Sequence, residues 1–234
     1  SGNGNHGTIH GATWIENNIY GCTDIFAVNY NADANIDDGS CEYYGENYSL
    51  KFDGCDWCND YISMGDVLDI DEGSFTFEAW VYATTLPTGD YYAANVVSKG
   101  ATGGTSPSEN GFFLKIYSNQ THFSAGIGDG TYYYISSLDN IIENTWYHVA
   151  LTMDRSMHTF SLYINGELHD QTNVSNLGSV SNNGYFRIGD QYWPDNGQHA
   201  QVWDGYIDEV RFWNIPKSQT DLLSNMYIPL NGNE

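Results

Sequence analysis

Three short stretches bring oxygen, sulfur and aromatic side chains close enough together to do chemistry. In Asp33-Ala34-Asn35-Ile36-Asp37-Asp38-Gly39, oxygen-bearing side chains alternate as they do in loops that wrap a hard cation. The glycine comes one residue late and no glutamate stands at the twelfth position. Asp33, Asn35 and Asp37 are therefore candidate ligands for Ca2+, with Asx-turns in a closed loop as the equal alternative. Cys55-Asp56-Trp57-Cys58 has the spacing of a redox pair, but Asp53, Asp56 and Asp60 surround it with negative charge, which raises a thiol pKa and disfavours the reactive thiolate. A structural disulfide is the expectation there, and zinc would need a second ligand pair that the chain does not supply.

The third stretch runs from Asp190 to Asp204 and reads Asp-Gln-Tyr-Trp-Pro-Asp-Asn-Gly-Gln-His-Ala-Gln-Val-Trp-Asp. Sugars are held by aromatic faces against their C–H surfaces and by amide or carboxylate groups on their hydroxyls, so Asp190, Tyr192, Trp193, Asn196 and Trp203 are candidate ligand-binding residues. The alternative is that Trp193 and Trp203 fold back as a lid. The seven histidines are scattered, and none is convincingly paired with a serine or cysteine, so no catalytic residue is assigned.

Charge narrows the partners. Thirty acidic side chains against seven basic ones give a formal charge of −23, which excludes nucleic acid, because phosphate binding needs clustered Lys and Arg. No apolar run approaches the ~18 residues of a membrane helix, so no membrane insertion is expected. Four cysteines in an acidic, Asn-rich, Lys-poor chain point to an oxidising, extracellular setting. Three connectivities are open, and local pairing of Cys22 with Cys41 and of Cys55 with Cys58 is the choice made here. Asn47, Asn119 and Asn173 head Asn-x-Ser/Thr triplets, a pattern that chance supplies often in such a chain.

These groups must be carried by three kinds of segment. Residues 1–20 are a polar, Gly- and Asn-rich arm or linker with an apolar patch at Trp14, Ile15 and Ile19. Residues 21–47 are a small cysteine-bracketed acidic module, too poor in apolar side chains to fold by burial alone and in need of a staple. Residues 48–234 carry repeated period-two segments separated by Gly, Asn, Asp and Ser, the pattern of strands and turns. In Ser74-Phe75-Thr76-Phe77-Glu78-Ala79-Trp80-Val81-Tyr82, for instance, Phe75, Phe77, Ala79 and Val81 share a core face. Asn165-Gly166 marks a hairpin, and Ser218 with Asp221 has the spacing of a capping box before a single short helix ending near Met226. The expected fold is all-β, an antiparallel jelly-roll β-sandwich with a stapled N-terminal module and one short C-terminal helix.

Five motifs stand in the order seen in laminin-G-like, concanavalin A-like jelly-roll domains, and the sequence resembles that family from about 48 to 227. They are Tyr48-Ser49-Leu50-Lys51-Phe52-Asp53-Gly54, Phe75-Thr76-Phe77-Glu78-Ala79-Trp80-Val81, Trp146-Tyr147-His148-Val149-Ala150, Leu162-Tyr163-Ile164-Asn165-Gly166 and Gly205-Tyr206-Ile207-Asp208-Glu209-Val210-Arg211-Phe212-Trp213-Asn214. The resemblance implies a structural Ca2+ where an early strand meets the last one, with Asp53 and Asp208 at the matching positions. Without the ion, Asp53 is a turn residue and Asp208 a partner for Arg211 or a turn amide. The cysteine unit resembles a Gly-Cys-Thr-Asp…Asp-Asp-Gly-Ser-Cys module of marine bacterial surface proteins and phage structural proteins.

The same fold hosts laminarinase-type glycosidases that carry Glu-x-Asp-x-x-Glu on one strand, and this chain has no such run, so it is not expected to be an enzyme. The expected function is a non-catalytic, calcium-stabilised binding module at the cell or virion surface or outside the cell, recognising glycan or a surface protein in adhesion. The alternative is a structural subunit or decoration of a filament, phage fibre or surface layer, self-assembling through the N-terminal arm.

Overall fold

The computed structural model describes residues 18–24, 27, 29–41, 49–54, 60–88, 93–100, 110–118, 120–192, 199–200 and 202–228. The chain divides into two compact units, residues 1–47 and 48–234. In the smaller unit a two-residue parallel pair, β1 (Tyr20–Gly21) and β2 (Ile36–Asp37), is closed by a Cys22–Cys41 disulfide with Cα atoms 4.7 Å apart. Closing a loop of this size restricts the unfolded chain by roughly 3 kcal/mol, a large share of what so small a unit can gain.

The larger unit contains β3 (Leu50–Asp53), β4 (Ile62–Ser63), β5 (Phe75–Ala83), β6 (Ala93–Lys99), β7 (Asn110–Tyr117), β8 (Phe123–Asp129) and β9 (Tyr132–Ser136). These are followed by β10 (Trp146–Asp154), β11 (Thr159–Ile164), β12 (Glu167–Asn173), β13 (Phe186–Ile188), β14 (Gln191–Tyr192), β15 (His199–Ala200), β16 (Asp204–Trp213) and the helix α1 (Gln219–Asn225). Two six-stranded antiparallel sheets, in the orders β12-β11-β10-β5-β16-β3 and β4-β13-β6-β7-β8-β9, face each other across one core, and β14 and β15 form a separate two-stranded pair. Alternation explains the core: Phe75, Phe77, Ala79 and Val81 from one sheet meet Phe112, Leu114 and Ile116 from the other, all fully buried. The β11–β12 turn has Asn165 at φ 51° and Gly166 at φ 77°, both positive as a type I′ hairpin requires.

Two bulges change which side chains face outward. In β6 the register shifts between Asn95 and Val97, so Asn95 and Ser98 both turn away from the core. In β16 it shifts between Asp208 and Arg211, with Glu209 at φ 47°. Phe212 is thereby restored to the core side and Arg211 is sent outward.

The outward face of this sheet is also buried: Leu222 of α1 packs on Ala150 of β10 and Tyr163 of β11, and the chain flanking the helix covers β5, where Trp80 Nε1 donates to the Met226 carbonyl at 2.9 Å and Thr76 Oγ1 to the Ile215 carbonyl at 2.9 Å. The helix starts as its sequence specifies, with Ser218 and Asp221 forming the capping box.

Candidate functional site

The described part of the Asp190–Asp204 segment is more deeply built into the sandwich than its composition implies. Trp203 is fully buried in the core, its N–H donating to the Gly189 carbonyl at 2.8 Å and its own carbonyl accepting from Gly54. Asp190 is equally buried: its Oδ2 lies 3.0 Å from the Arg187 guanidinium, and its carbonyl accepts from Ser98 Oγ. Neither side chain is at the surface where a ligand would meet it, a correction to the expectation that both contact ligand. A tryptophan flanked by polar residues looks like a loop residue, but here it is the return of the chain into the core. Tyr192 lies on β14 opposite His199, while Trp193 and Asn196, together with Cys55 and Cys58, lie outside the described residues.

Asp53 and Asp208, the pair named for a cation, stand apart along the sheet. Asp53 faces Asp204 across β3 and β16, and Asp208 lies four residues further along, about 13 Å away at ~3.3 Å per residue. Asp208 faces Trp80 instead, and its Oδ1 accepts from the Glu209 N–H at 2.7 Å. Burial raises the Asp208 pKa, against the pull of that hydrogen bond. In the small unit, Asn35 Oδ1 accepts from the Ile19 N–H and Asp37 Oδ1 from the Gly39 N–H, while the Asp33 N–H donates to Asn31 Oδ1. These are the turn bonds of a stapled loop. Among the described residues no group of three or more His, Cys, Asp or Glu side chains is placed to hold a metal.

A more suggestive surface is the outer face of the β4-β13-β6-β7-β8-β9 sheet. Cross-strand register lines up Arg187, Ser98, Phe113, Gly126 and Tyr134 in one row, and Asn95, Lys115, Ser124 and Ser136 in the next. At two positions on β8 a side chain would block the neighbouring rings. A Cβ on Gly126 would stand 2.5 Å from the Phe113 ring, and one on Gly128 2.9 Å from the Tyr132 ring. With glycine there, the rings lie along the sheet. Tyr132 and Tyr134 sit side by side, centroids 5.7 Å apart and planes 30° apart, and Tyr134 is 50% exposed. Phe113, across Gly126 in the same row, has its ring centre 6.1 Å from that of Tyr134.

Beside this platform the face is charged but covered. Lys115 Nζ lies 4.4 Å from the Phe113 ring centre and 4.3 Å from that of Tyr117, and the residue is fully buried. Burial pulls its pKa down to about 7. Burial pushes Tyr117 up to about 12, helped by the charge Tyr134 would carry, and burial raises Tyr134 as well. Both phenols therefore remain hydrogen-bond donors at neutral pH. Arg187 stacks on Tyr61 at 4.3 Å. At the ends of β5, β16 and β3 a separate cleft of about 230 Å³ is lined by Thr85, Leu86, Val202 and Asp204, with Thr85 Oγ1 hydrogen-bonded to Asp204 Oδ2.

Lys115 makes stability depend on pH. Its folded pKa lies below its ordinary 10.5, so the folded state binds fewer protons between about 7 and 10.5 and gains stability as pH rises through that window. Lys115→Met is expected to stabilise by ~2 kcal/mol, about 5 °C, at and below neutral pH, with the gain shrinking by about pH 10. Thermal melts of both proteins at the two ends of the window check this. A gain that grows with pH would contradict it.

The candidate ligand residues named from the sequence do not include Tyr132 and Tyr134, although Tyr132-Tyr133-Tyr134 alternates across a strand and so puts at most half of its aromatic surface on one face, nor do they include Asn95, Lys115 and Arg187. Their convergence depends on strand order and on the β6 bulge, which no local pattern announces.

Among solved structures, a proposed carbohydrate-binding protein from Bacteroides ovatus ATCC 8483 superposes with a TM-score of 0.58 at 24% identity. The match covers 74% of this chain and 46% of that one, so the chain spans less than half of that protein. The Ruminococcus gnavus IT-sialidase CBM40 bound to α2,6 sialyllactose gives 0.55 at 16% identity, over 76% of this chain and 96% of that one. The binding domain of botulinum neurotoxin serotype D gives 0.54 at 15% identity, over 76% and 41%. At these identities the likeness is one of fold. No curated protein matches the sequence. Two facing antiparallel sheets and the order of the five motifs agree with a family match over residues 56–222, and on that match the chain belongs to the concanavalin A-like lectin/glucanases superfamily.

Proposed function

We propose that the larger unit is a non-catalytic glycan-binding module that works outside the cell, attaching its bearer to a sugar-coated surface through Tyr132 and Tyr134. The observation that carries this reading is the pair of side-by-side rings, 5.7 Å apart and inclined by 30°, with Tyr132 lying against Gly128, an aromatic platform with phenolic donors at its edge. Support comes from the structural neighbours, whose names describe carbohydrate-binding proteins and the binding domain of a toxin, and from the lack of the Glu-x-Asp-x-x-Glu run that laminarinase-type glycosidases carry on this fold. The Cys22–Cys41 disulfide fits an oxidising compartment, and no described helix is long and apolar enough to cross a membrane.

A sugar face stacked on one ring removes on the order of 50 Å² of apolar surface from water, worth ~1.4 kcal/mol or about tenfold in affinity. Tyr134→Ala is therefore expected to weaken glycan binding about tenfold, and the Tyr132→Ala/Tyr134→Ala pair about a hundredfold, with the melting temperature nearly unchanged because Tyr134 is half exposed. A glycan array followed by titration of the best ligand measures both. Unchanged affinity in the double variant would remove this face from the function.

A further inference from the structure

A second site is formed just beyond the end of β9, where the chain leaves the tyrosine strand, and nothing in the proposed function depends on it. A cavity of about 160 Å³ opens where the segment after β9 approaches the β11–β12 hairpin and the start of β10. Its floor includes Phe123 and Tyr147, whose rings meet edge to face at 6.0 Å. Its polar lining includes Asp139, Glu167 and His169, and it contains no lysine or arginine.

The lining is held in place by main-chain bonds. The Leu138 N–H donates to His169 Nδ1 at 3.2 Å, which fixes that nitrogen as an acceptor and leaves the ring proton on Nε2. The Ile142 N–H donates to the Tyr147 hydroxyl oxygen at 3.0 Å, so the phenolic proton is free to be given to something else. The carboxylates of Asp139 and Glu167 form no ion pair among the described residues.

An apolar, aromatic floor under two oriented donors and two unpaired carboxylates matches a small ring that carries hydroxyls and a positive charge. We infer that this cavity is a binding site for a protonated amino sugar, its ring on Tyr147, its ammonium group at Asp139 and Glu167 and its hydroxyls accepting from His169 and Tyr147. A bare metal ion would leave the aromatic floor unused, and the described residues offer no cluster of three metal-binding side chains. An anionic sugar would be repelled by both carboxylates.

The test is a titration of the intact protein with D-glucosamine, glucose and N-acetylglucosamine at about pH 6.5, where the free amine is protonated, followed by NMR of the Tyr147 and His169 side chains. Glucosamine is expected to bind at least tenfold more tightly than either neutral sugar, and Asp139→Asn with Glu167→Gln is expected to erase that preference while leaving the melting temperature within a few degrees. Tyr134→Ala is expected to leave it intact, which separates failure of this site from failure of the tyrosine platform. The preference should also fade as pH rises past the amine's own pKa. Equal affinity for all three sugars, a preference that survives the double substitution, or the same resonance shifts from calcium alone would overturn the inference.

Discussion

Replacing Glu78 with alanine is expected to lower the melting temperature by about 10 °C, among the largest effects of any single change outside the apolar core. Glu78 is 2% exposed on the outward face of β5 and is the hub of a buried polar layer at the C-terminal end of α1. His148 Nε2 lies 3.2 Å from its Oε2, Trp213 Nε1 donates to its Oε1 at 2.7 Å, and Arg211 approaches the same oxygen at 3.9 Å. Arg211 in turn donates to the carbonyls of Asn225 at 3.1 Å and Ile228 at 2.6 Å, capping a helix that has no basic residue of its own in its last turn.

Removing the carboxylate leaves the buried His148 without its partner at 3.2 Å and the Trp213 indole N–H without its acceptor, while Arg211 keeps Glu209 at 2.8 Å, and breaking this buried layer costs on the order of 3–5 kcal/mol. At 2–4 °C per kcal/mol for a domain of this size, that gives the expected shift. The pH dependence has a definite sign. Burial pushes the Glu78 carboxyl up, but its contacts with His148 and Trp213 and the charges of His148 and Arg211 pull it further down, so its folded pKa lies below the ordinary 4.5. Its contribution is fully present above about pH 4.5 and is lost as pH falls through the lower folded value, a loss that Glu78→Gln should not show. Hydrogen exchange should localise the damage to 218–228. A melting temperature within 3 °C of the parent would mean that α1 is held by Leu222 and the Trp80 and Arg211 bonds to its end without help from the carboxylate.

This layer also marks where the sequence stops being readable. The alternation of Phe75, Phe77, Ala79 and Val81 specifies a strand and its buried face, Asn165-Gly166 specifies a hairpin by its need for positive φ, and Ser218 with Asp221 specifies a helix start. Each is set by atoms within a few residues. That Glu78, His148 and Arg211 meet is not: they come from β5, β10 and β16, adjacent only because of strand order, and Arg211 points outward only because the bulge at Glu209 shifts the phase.

The same cause separates the expected binding residues from the observed surface. Trp203 and Asp190 stand in a polar, turn-rich stretch, so composition places them in solvent, yet their neighbours Gly189 and Asp204 are already committed to the sheets. Alternation puts Tyr132 and Tyr134 on one face of a strand without saying which face is open, and their neighbours Gly126 and Phe113 are identifiable only once β7, β8 and β9 are paired. The two aspartates expected to share a cation were related by motif, and motif order does not fix how far apart two residues fall along a strand.

Asp190 provides the sharpest separation between a binding and a structural role. Asp190→Ala is expected to cost 8 °C or more in melting temperature, because it takes from the buried Arg187 a carboxylate 3.0 Å away, a loss on the order of 3–5 kcal/mol. Arg187 is held against the Tyr61 ring on its other side and cannot swing into solvent without giving up that stacking. Replacing both members with apolar residues of similar size, Arg187→Met with Asp190→Leu, is expected to recover much of the loss, since the desolvation of both charges is then avoided. Glycan affinity measured well below the melting temperature should change little in either variant. The opposite outcome, an unchanged melting temperature with binding abolished, would return Asp190 to the ligand and make the ion pair with Arg187 a resting arrangement that the sugar displaces.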